Sequence, residues 1–395
     1  MQRLAARMNR LGTETAFDCL CRARALECRM EVVHLEIGEP DFDTPKHIRE
    51  AAKRALDEGW THYGPSAGLP ELREAIAEYA GRLRGVRFSP EQVVVTPGAK
   101  PVIAFAIMAL VEENDEVIYP NPGFPIYESM IEYMGGRAVP IRLHEEQDFR
   151  FDVEELAALV NHRTKLIIIN SPQNPTGGVL MPGDLKRIAE IAIEHDCWVL
   201  ADEIYSEIVY DDAPDGKPAA AFASISQVPE LARRLIVLDG FSKTYAMTGW
   251  RVGYGIMPGL MAEKLARIQT NTNSCTASFI QRACLEALRG PHDEVDAMKA
   301  EFRRRRDVIV KGLNGIPGFR CRMPRGAFYA FPNVEGTGID SKVLASRLLE
   351  EAGVACLDGA CFGKHGNGFL RFSYANSVEN IERALAKTRR LLAGK

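Results

Sequence analysis

Long hydrophobic runs are missing from this sequence: none approaches the roughly 20 residues that cross a bilayer, which argues against a helical membrane protein. Met1-Gln2-Arg3 leads into a charged, helix-like segment with no signal-peptide core, so the cytoplasm is the expected location. Neither sign of charge is in large excess. Lys plus Arg (49) nearly balances Asp plus Glu (53), and a formal net charge of −4 supplies no basic field for nucleic acid or an anionic membrane. The nine cysteines are odd in number and scattered without a Cys-x-x-Cys, which suggests neither a disulfide framework nor a zinc site. The eight histidines form no His-Glu-x-x-His pair, so no metal is expected. No Gly-x-x-x-x-Gly-Lys-Ser/Thr and no Gly-x-Gly-x-x-Gly opening a βαβ unit is present, so nucleotide binding lacks its fingerprints. Internal repeats and low-complexity linkers are absent too.

What is there is a chain of 395 residues, 46% of them hydrophobic, enough to build two domain cores. Short apolar runs at 93–96, 116–119, 137–141, 166–169, 198–201 and 235–238 alternate with helical patterns. They predict an α/β domain with a mainly parallel sheet covered by helices on both faces. The first 29 residues read as an amphipathic helical arm, and 32–37 as a strand. Past Gln269 the pattern changes to helices at 278–288 and about 294–313, then strands at 327–331 and 369–374, which predicts a smaller α+β domain. The expected division is 1–47 as the arm and part of the small domain, 48–285 as the large domain, and 286–395 as the small domain. The four arginines 303–306 lie among acids and read as a solvated or ion-paired face.

In open parallel sheets ligands sit at the carboxyl ends of the strands. Thr96 to Lys100, Phe124, Asn174, Asp202 and Lys243 all follow such ends, and five segments meeting at one place are hard to explain as packing. Gly98-Ala99-Lys100 opens a helix, whose first N–H groups suit a phosphate. Asp202 closes a fully buried strand and needs a cationic partner. Lys243 follows the run Leu235 to Leu238 on a small-residue turn, and Arg251 stands among Gly249, Gly253 and Gly255. A lysine able to form an imine beside an arginine able to clamp a phosphate suggests pyridoxal phosphate.

Together GEPDFDTP, Tyr63-Gly64, SPQNPTGG, ADEIY, GFSKTYAMTGWRVGYG, GAFY and LRFSYAN resemble the class I aminotransferases of pyridoxal-phosphate (PLP) fold type I, in family order and over nearly the whole chain. The likeness is greatest to the bacterial branch related to aspartate aminotransferase. The resemblance implies a homodimer with shared sites that moves an amino group between an L-amino acid and a 2-oxo acid in ping-pong fashion through a Lys243 aldimine. It implies that Asp202 pairs with the pyridine nitrogen and that Tyr205 and Asn174 bond the ring's phenolic oxygen. Arg251, Ser242, the Gly98-Ala99-Lys100 turn and a neighbouring subunit's Tyr63 would hold the phosphate, and Phe124 would stack on the ring. Arg371 would grip the substrate α-carboxylate, assisted by Asn174 and the Gly38 backbone.

Three departures stand out. Gly240 occupies a position where relatives often carry serine, Leu357-Asp358-Gly359 stands where many have a proline-glycine pair, and Asn271 to Ser274 offers no arginine for a distal carboxylate. Lys100 is the expected substitute. The same residues also serve relatives that eliminate or replace a β- or γ-substituent, for example on S-adenosylmethionine, because fold does not settle reaction type. A third reading is a PLP-binding regulatory module of the kind fused to DNA-binding domains; the negative charge and the early position of GEPDF oppose it.

Overall fold

The protein is described by a computed structural model covering residues 4–210 and 222–394. Seven strands form the main sheet: β1 Val93–Thr96, β2 Glu116–Asn121, β3 Arg137–Arg142, β4 Thr164–Asn170, β5 Trp198–Asp202, β6 Leu235–Gly240 and β7 Gly253–Ile256. Their spatial order is β1-β7-β6-β5-β4-β2-β3, and only β7 runs against its two neighbours. The predicted mainly parallel sheet is therefore present, with every carboxyl end except that of β7 on one rim.

Alternate residues of each strand feed two different cores, because successive side chains of a strand point to opposite faces. Val95, Ile167, Ile169, Val199 and Val237 pack with Leu72, Ile76, Leu185 and Ile188 of helices Pro70–Arg84 and Pro182–Glu194. Val94, Leu166, Ile168, Leu200 and Ile236 pack instead with Val102, Ile103 and Leu265 of helices Lys100–Leu110 and Gly259–Thr272. Both faces are thus covered, which is why the strands read as continuous apolar runs.

A third core gathers Phe302, Ile309, Phe328, Leu344, Leu348, Phe372 and Ile381 around a small antiparallel sheet of β8 Tyr329–Ala330, β9 Leu357–Asp358 and β10 Leu370–Ser373, in the order β9-β10-β8. Helices Asp293–Asn314, Ser341–Ala352 and Val378–Ala393 surround it. Val33–His34 joins this part of the molecule by parallel pairing with Val354–Ala355.

Several sequence expectations change here. The arm is not one helix: Ala6–Arg10 is a 3-10 turn, Thr15–Leu26 a helix, and Met1 to Arg3 lie outside the described residues. Between the two pieces the backbone N–H of Gly12 donates to Ser129 Oγ at 2.9 Å, so the chain is held to a neighbour instead of continuing its own ladder. The run 327–331 keeps only two residues in the ladder, since Ala327 adopts a φ of 55° and its N–H donates to Ile208 O. Of the two readings of the arginine run, the ion-paired one holds, though part of the run is buried. Arg305 is buried and pairs with Glu301 and Asp41, while Arg306 is buried over the Tyr210 ring.

Candidate active site

Asn170 and Asp202 are register partners at the ends of β4 and β5, and Gly240 faces Gly253 at the end of β6. The loops leaving this rim, with Gly38 and Arg371 opposite, enclose a cavity of about 470 Å³. Lys243, Asp202, Tyr205, Asn174, Phe124, Ala99, Lys100, Ser242, Arg251, Gly38 and Arg371 all line it. Two of the predicted residues do not. Tyr63 is 90% exposed and lies outside the cavity, and Gly98 acts from just behind its wall.

At the cavity floor Asp202 is buried, and its Oδ2 accepts a hydrogen bond from Tyr127 Oη at 2.6 Å. Its Oδ1 accepts from the Ile204 N–H at 3.3 Å. Among the described residues no cation pairs with it. The nearby buried arginine, Arg84, is committed to Glu203 and Asp239, each at 2.7 Å. Burial therefore pushes the Asp202 carboxyl up to about 6, against the Tyr127 hydrogen bond, which pulls it down. Tyr127 also meets Phe124 edge to face, with ring centroids 6.0 Å apart, and so helps set both the acid and the aromatic wall.

Lys243 Nζ donates to the Gly38 carbonyl at 2.5 Å and lies 5.9 Å from the centre of the Tyr205 ring. Burial lowers its pKa to about 8, partly opposed by the Glu39 carboxylate and assisted by Arg371. Tyr205 Oη shares a 2.6 Å hydrogen bond with Tyr329 Oη. A Cβ on Gly38 would collide with that Tyr329 hydroxyl, which gives the glycine a steric reason.

Arg371 is 3% exposed, and no ion pair to it is found among the described residues. Its Nη1 donates to Asn174 Oδ1 at 3.1 Å and its Nη2 to the Glu36 carbonyl, while Nε has no partner there. The guanidinium sits 4.7 Å from the Tyr329 ring centre and 4.8 Å from that of Phe362. A buried cation clamped between rings, with a spare donor and no carboxylate, is suited to receive an anion. The Leu357-Asp358-Gly359 departure supports this arrangement: Leu357 pairs directly with Arg371 across β9 and β10, and Asp358 accepts from Ser341 Oγ at 2.8 Å.

A second cationic corner, at Arg251, also lines the cavity. Gly98, at φ +90°, takes a conformation that favours glycine, and any Cβ there would strike the Arg251 guanidinium. Arg251 is further held by Nη1 donating to the Thr248 carbonyl at 2.7 Å. Ser242 and Ala99 line the same side. A Cβ at Gly240 would meet Gly253 Cα at 3.0 Å, so glycine packs on glycine there. At the rim, Lys100 pairs with Glu14, and its ammonium lies 5.1 Å from the Phe124 ring centre. Asn271 to Ser274 are exposed and take no part in the lining.

Residues 30–387 match the family model for aminotransferase class I and II. The chain belongs to that family. This aminotransferase is 42% identical over 370 residues to an aspartate aminotransferase of Pyrococcus abyssi, covering 92% of each chain. It is 40% identical over 369 residues to aromatic-amino-acid aminotransferase 2 of Thermococcus litoralis, again covering 92% of each. The solved aspartate aminotransferase of Thermus thermophilus with maleate superposes with a TM-score of 0.93 at 35% identity, covering 99% of this chain and 100% of that one. The enzyme is accordingly a PLP-dependent transaminase of fold type I. Its cavity suits the cofactor: a buried carboxylate without a cation, a buried amine and an arginine on a glycine turn are the groups needed by a pyridinium, an imine and a phosphate.

Sequence reasoning missed Tyr127, Tyr329, Phe362 and Glu14. Tyr329 stood within the quoted GAFY string, where its aromatic neighbours marked it as strand core. Tyr127 sits within a helix and Glu14 just before one, where tyrosine and glutamate are unremarkable, so only the fold shows what they touch.

Proposed function

We propose that this aminotransferase uses glutamate and 2-oxoglutarate as one couple and accepts a broader second amino acid, neutral side chains included. The observation that carries this reading is the contrast between the two cations left to meet a substrate. Arg371 is fixed, buried and uncompensated, as a receptor for every α-carboxylate should be, whereas Lys100 is a mobile point charge at the rim. Relatives named for aspartate and for aromatic amino acids fit that breadth.

When bound, PLP supplies a carbonyl for the amine and an electron-withdrawing ring. Arg251, Ser242 and the Gly98-Ala99-Lys100 turn would hold its phosphate, with Tyr63 of the partner subunit. Phe124 would stack on the ring. Tyr205 and Asn174 would hydrogen-bond its phenolic oxygen, and Asp202 would keep the ring nitrogen protonated. Lys243 would be the amine that holds the cofactor and, once free, the base that moves the substrate Cα proton. Arg371, with Asn174 and the Gly38 backbone, orients the substrate so that this transfer is short.

Arg371→Ala should weaken all substrates together, by roughly 2–5 kcal/mol for a buried pair. Lys100→Ala should lose acidic substrates selectively. Steady-state kinetics over a panel of amino acids separates the two, and equal losses for acidic and neutral substrates in the Lys100 variant would refute its role.

The same reading makes the enzyme a cytoplasmic homodimer. Its nine cysteines are all free thiols, as a reducing compartment would leave them. Leu4, Met8, Leu11 and Tyr63 are exposed on one chain, and a partner would cover apolar surface of this kind. Sedimentation equilibrium should show a dimer; an active monomer would end this part of the proposal. We assign residues 1–47 to the arm and part of the small domain, 48–285 to the large domain and 286–395 to the small domain. The pairing of Val33–His34 with Val354–Ala355 supports the first of these assignments.

A further inference from the structure

Four cationic side chains among the described residues face the cavity, and three are committed by the reading above: Lys243 to the cofactor carbonyl, Arg251 to the phosphate and Arg371 to the α-carboxylate. Lys100 remains for a substrate side chain. Its ammonium is in an ion pair with Glu14, the residue just before helix Thr15–Leu26. Glu14 does not cap that helix, since its side chain takes no hydrogen bond from the first turn. Glu39, the other acid at the rim, accepts from Thr248 Oγ1 at 2.8 Å and leaves Lys100 alone. The helix that begins beside Glu14 also gives the cavity Phe17 and Leu20. One segment therefore neutralises the distal cation and supplies apolar wall.

We propose that Glu14 is a specificity-determining residue, which competes with acidic substrate side chains for Lys100 and tilts the enzyme toward neutral, apolar amino acids. The inference rests on the proposed role of Lys100 as receptor for a distal carboxylate. The pair is only partly shielded, with side-chain exposures of 42% for Lys100 and 30% for Glu14. Ion pairs in such settings are weak, so a substrate carboxylate can displace Glu14 at little cost. Acidic substrates are thus handicapped without being excluded. A neutral side chain leaves the pair closed beneath it and meets no unpaired charge, whereas without Glu14 it would lie against a bare ammonium.

The test uses two unreactive ligands of the PLP-loaded enzyme, glutarate and pentanoate, which share a chain length and one carboxylate for Arg371 but differ in the distal carboxylate. Isothermal titration of Glu14→Gln should show glutarate tightening about fivefold relative to pentanoate, the factor matching about 1 kcal/mol for a released exposed pair. The gain should vanish when Lys100→Met is added, because no ammonium remains to be released. The glutamate-to-phenylalanine ratio of kcat/KM should move in the same direction. An unchanged glutarate-to-pentanoate ratio in Glu14→Gln, or a gain that survives in the double variant, would overturn the proposal while leaving the role of Lys100 intact. If Lys100→Met alone leaves the glutarate preference as it was, the role of Lys100 fails and the inference built on it fails too.

Discussion

Lys243→Ala is expected to abolish transamination, a loss of at least roughly 10⁴-fold for the residue proposed as both covalent anchor and proton carrier. The protein should still take up PLP, because the phosphate contacts proposed above lie on Arg251, Ser242 and the turn at Gly98, none of which depends on the lysine. The cavity also prepares this amine. Burial lowers its pKa to about 8, so near neutral pH a far larger share is uncharged than for an ordinary lysine, and only the uncharged amine can attack a carbonyl or accept a proton. Borohydride reduction of the loaded wild-type enzyme followed by peptide mapping checks the anchor. A label on any other lysine, or turnover surviving in the variant, would sink the assignment.

Much of this site is legible in the sequence because it is written at strand ends. Buried parallel strands are apolar along their whole length, so Val93 to Val95, Ile167 to Ile169 and Ile236 to Leu238 declare themselves, and whatever polar residue follows them is conspicuous. Asp202, Asn174 and Lys243 are found in this way. What stays hidden is set by contacts between distant segments. Arg84, in the last turn of helix Pro70–Arg84, reads as a helical surface residue, yet it is fully buried and bonds Glu203 and Asp239 beneath the site. It thereby leaves Asp202 without a cation of its own, a point no local pattern carries. The small domain shows the same limit from the other side. Its strands are only two to four residues long, and aromatic runs such as 327–331 look like longer strands until tertiary contacts bend them away.

Asp202→Asn is expected to slow substrate Cα deprotonation by roughly 10²-fold or more, the scale of losing one preorganised electrostatic group. Substrate binding should weaken far less, since Arg371 and Lys100 are untouched. The fold should survive: an asparagine amide oxygen can still accept from the Ile204 N–H, its NH2 can donate to the Tyr127 hydroxyl in place of the second oxygen, and the side chain keeps its size. What it cannot do is hold a proton on a ring nitrogen, because it brings no negative charge. Asp202 brings that charge at a cost to the cofactor-free protein. Its folded pKa, near 6, is above the ordinary carboxylate range, so the folded state holds the proton more tightly than the unfolded chain does. That contribution to stability is present below about pH 4 and is lost as the pH rises through about 6. The cofactor-free Asp202→Asn variant carries no such dependence at this position, so it should melt higher than cofactor-free wild type at pH 8, with the gap closing as the pH falls below 6. Adding PLP should reverse the order, since only the aspartate gains a cationic partner. Two measurements decide it: melting curves of both proteins with and without cofactor across this pH range, and single-turnover rates. A near-normal rate in the variant would show that the ring does not depend on Asp202 for its proton.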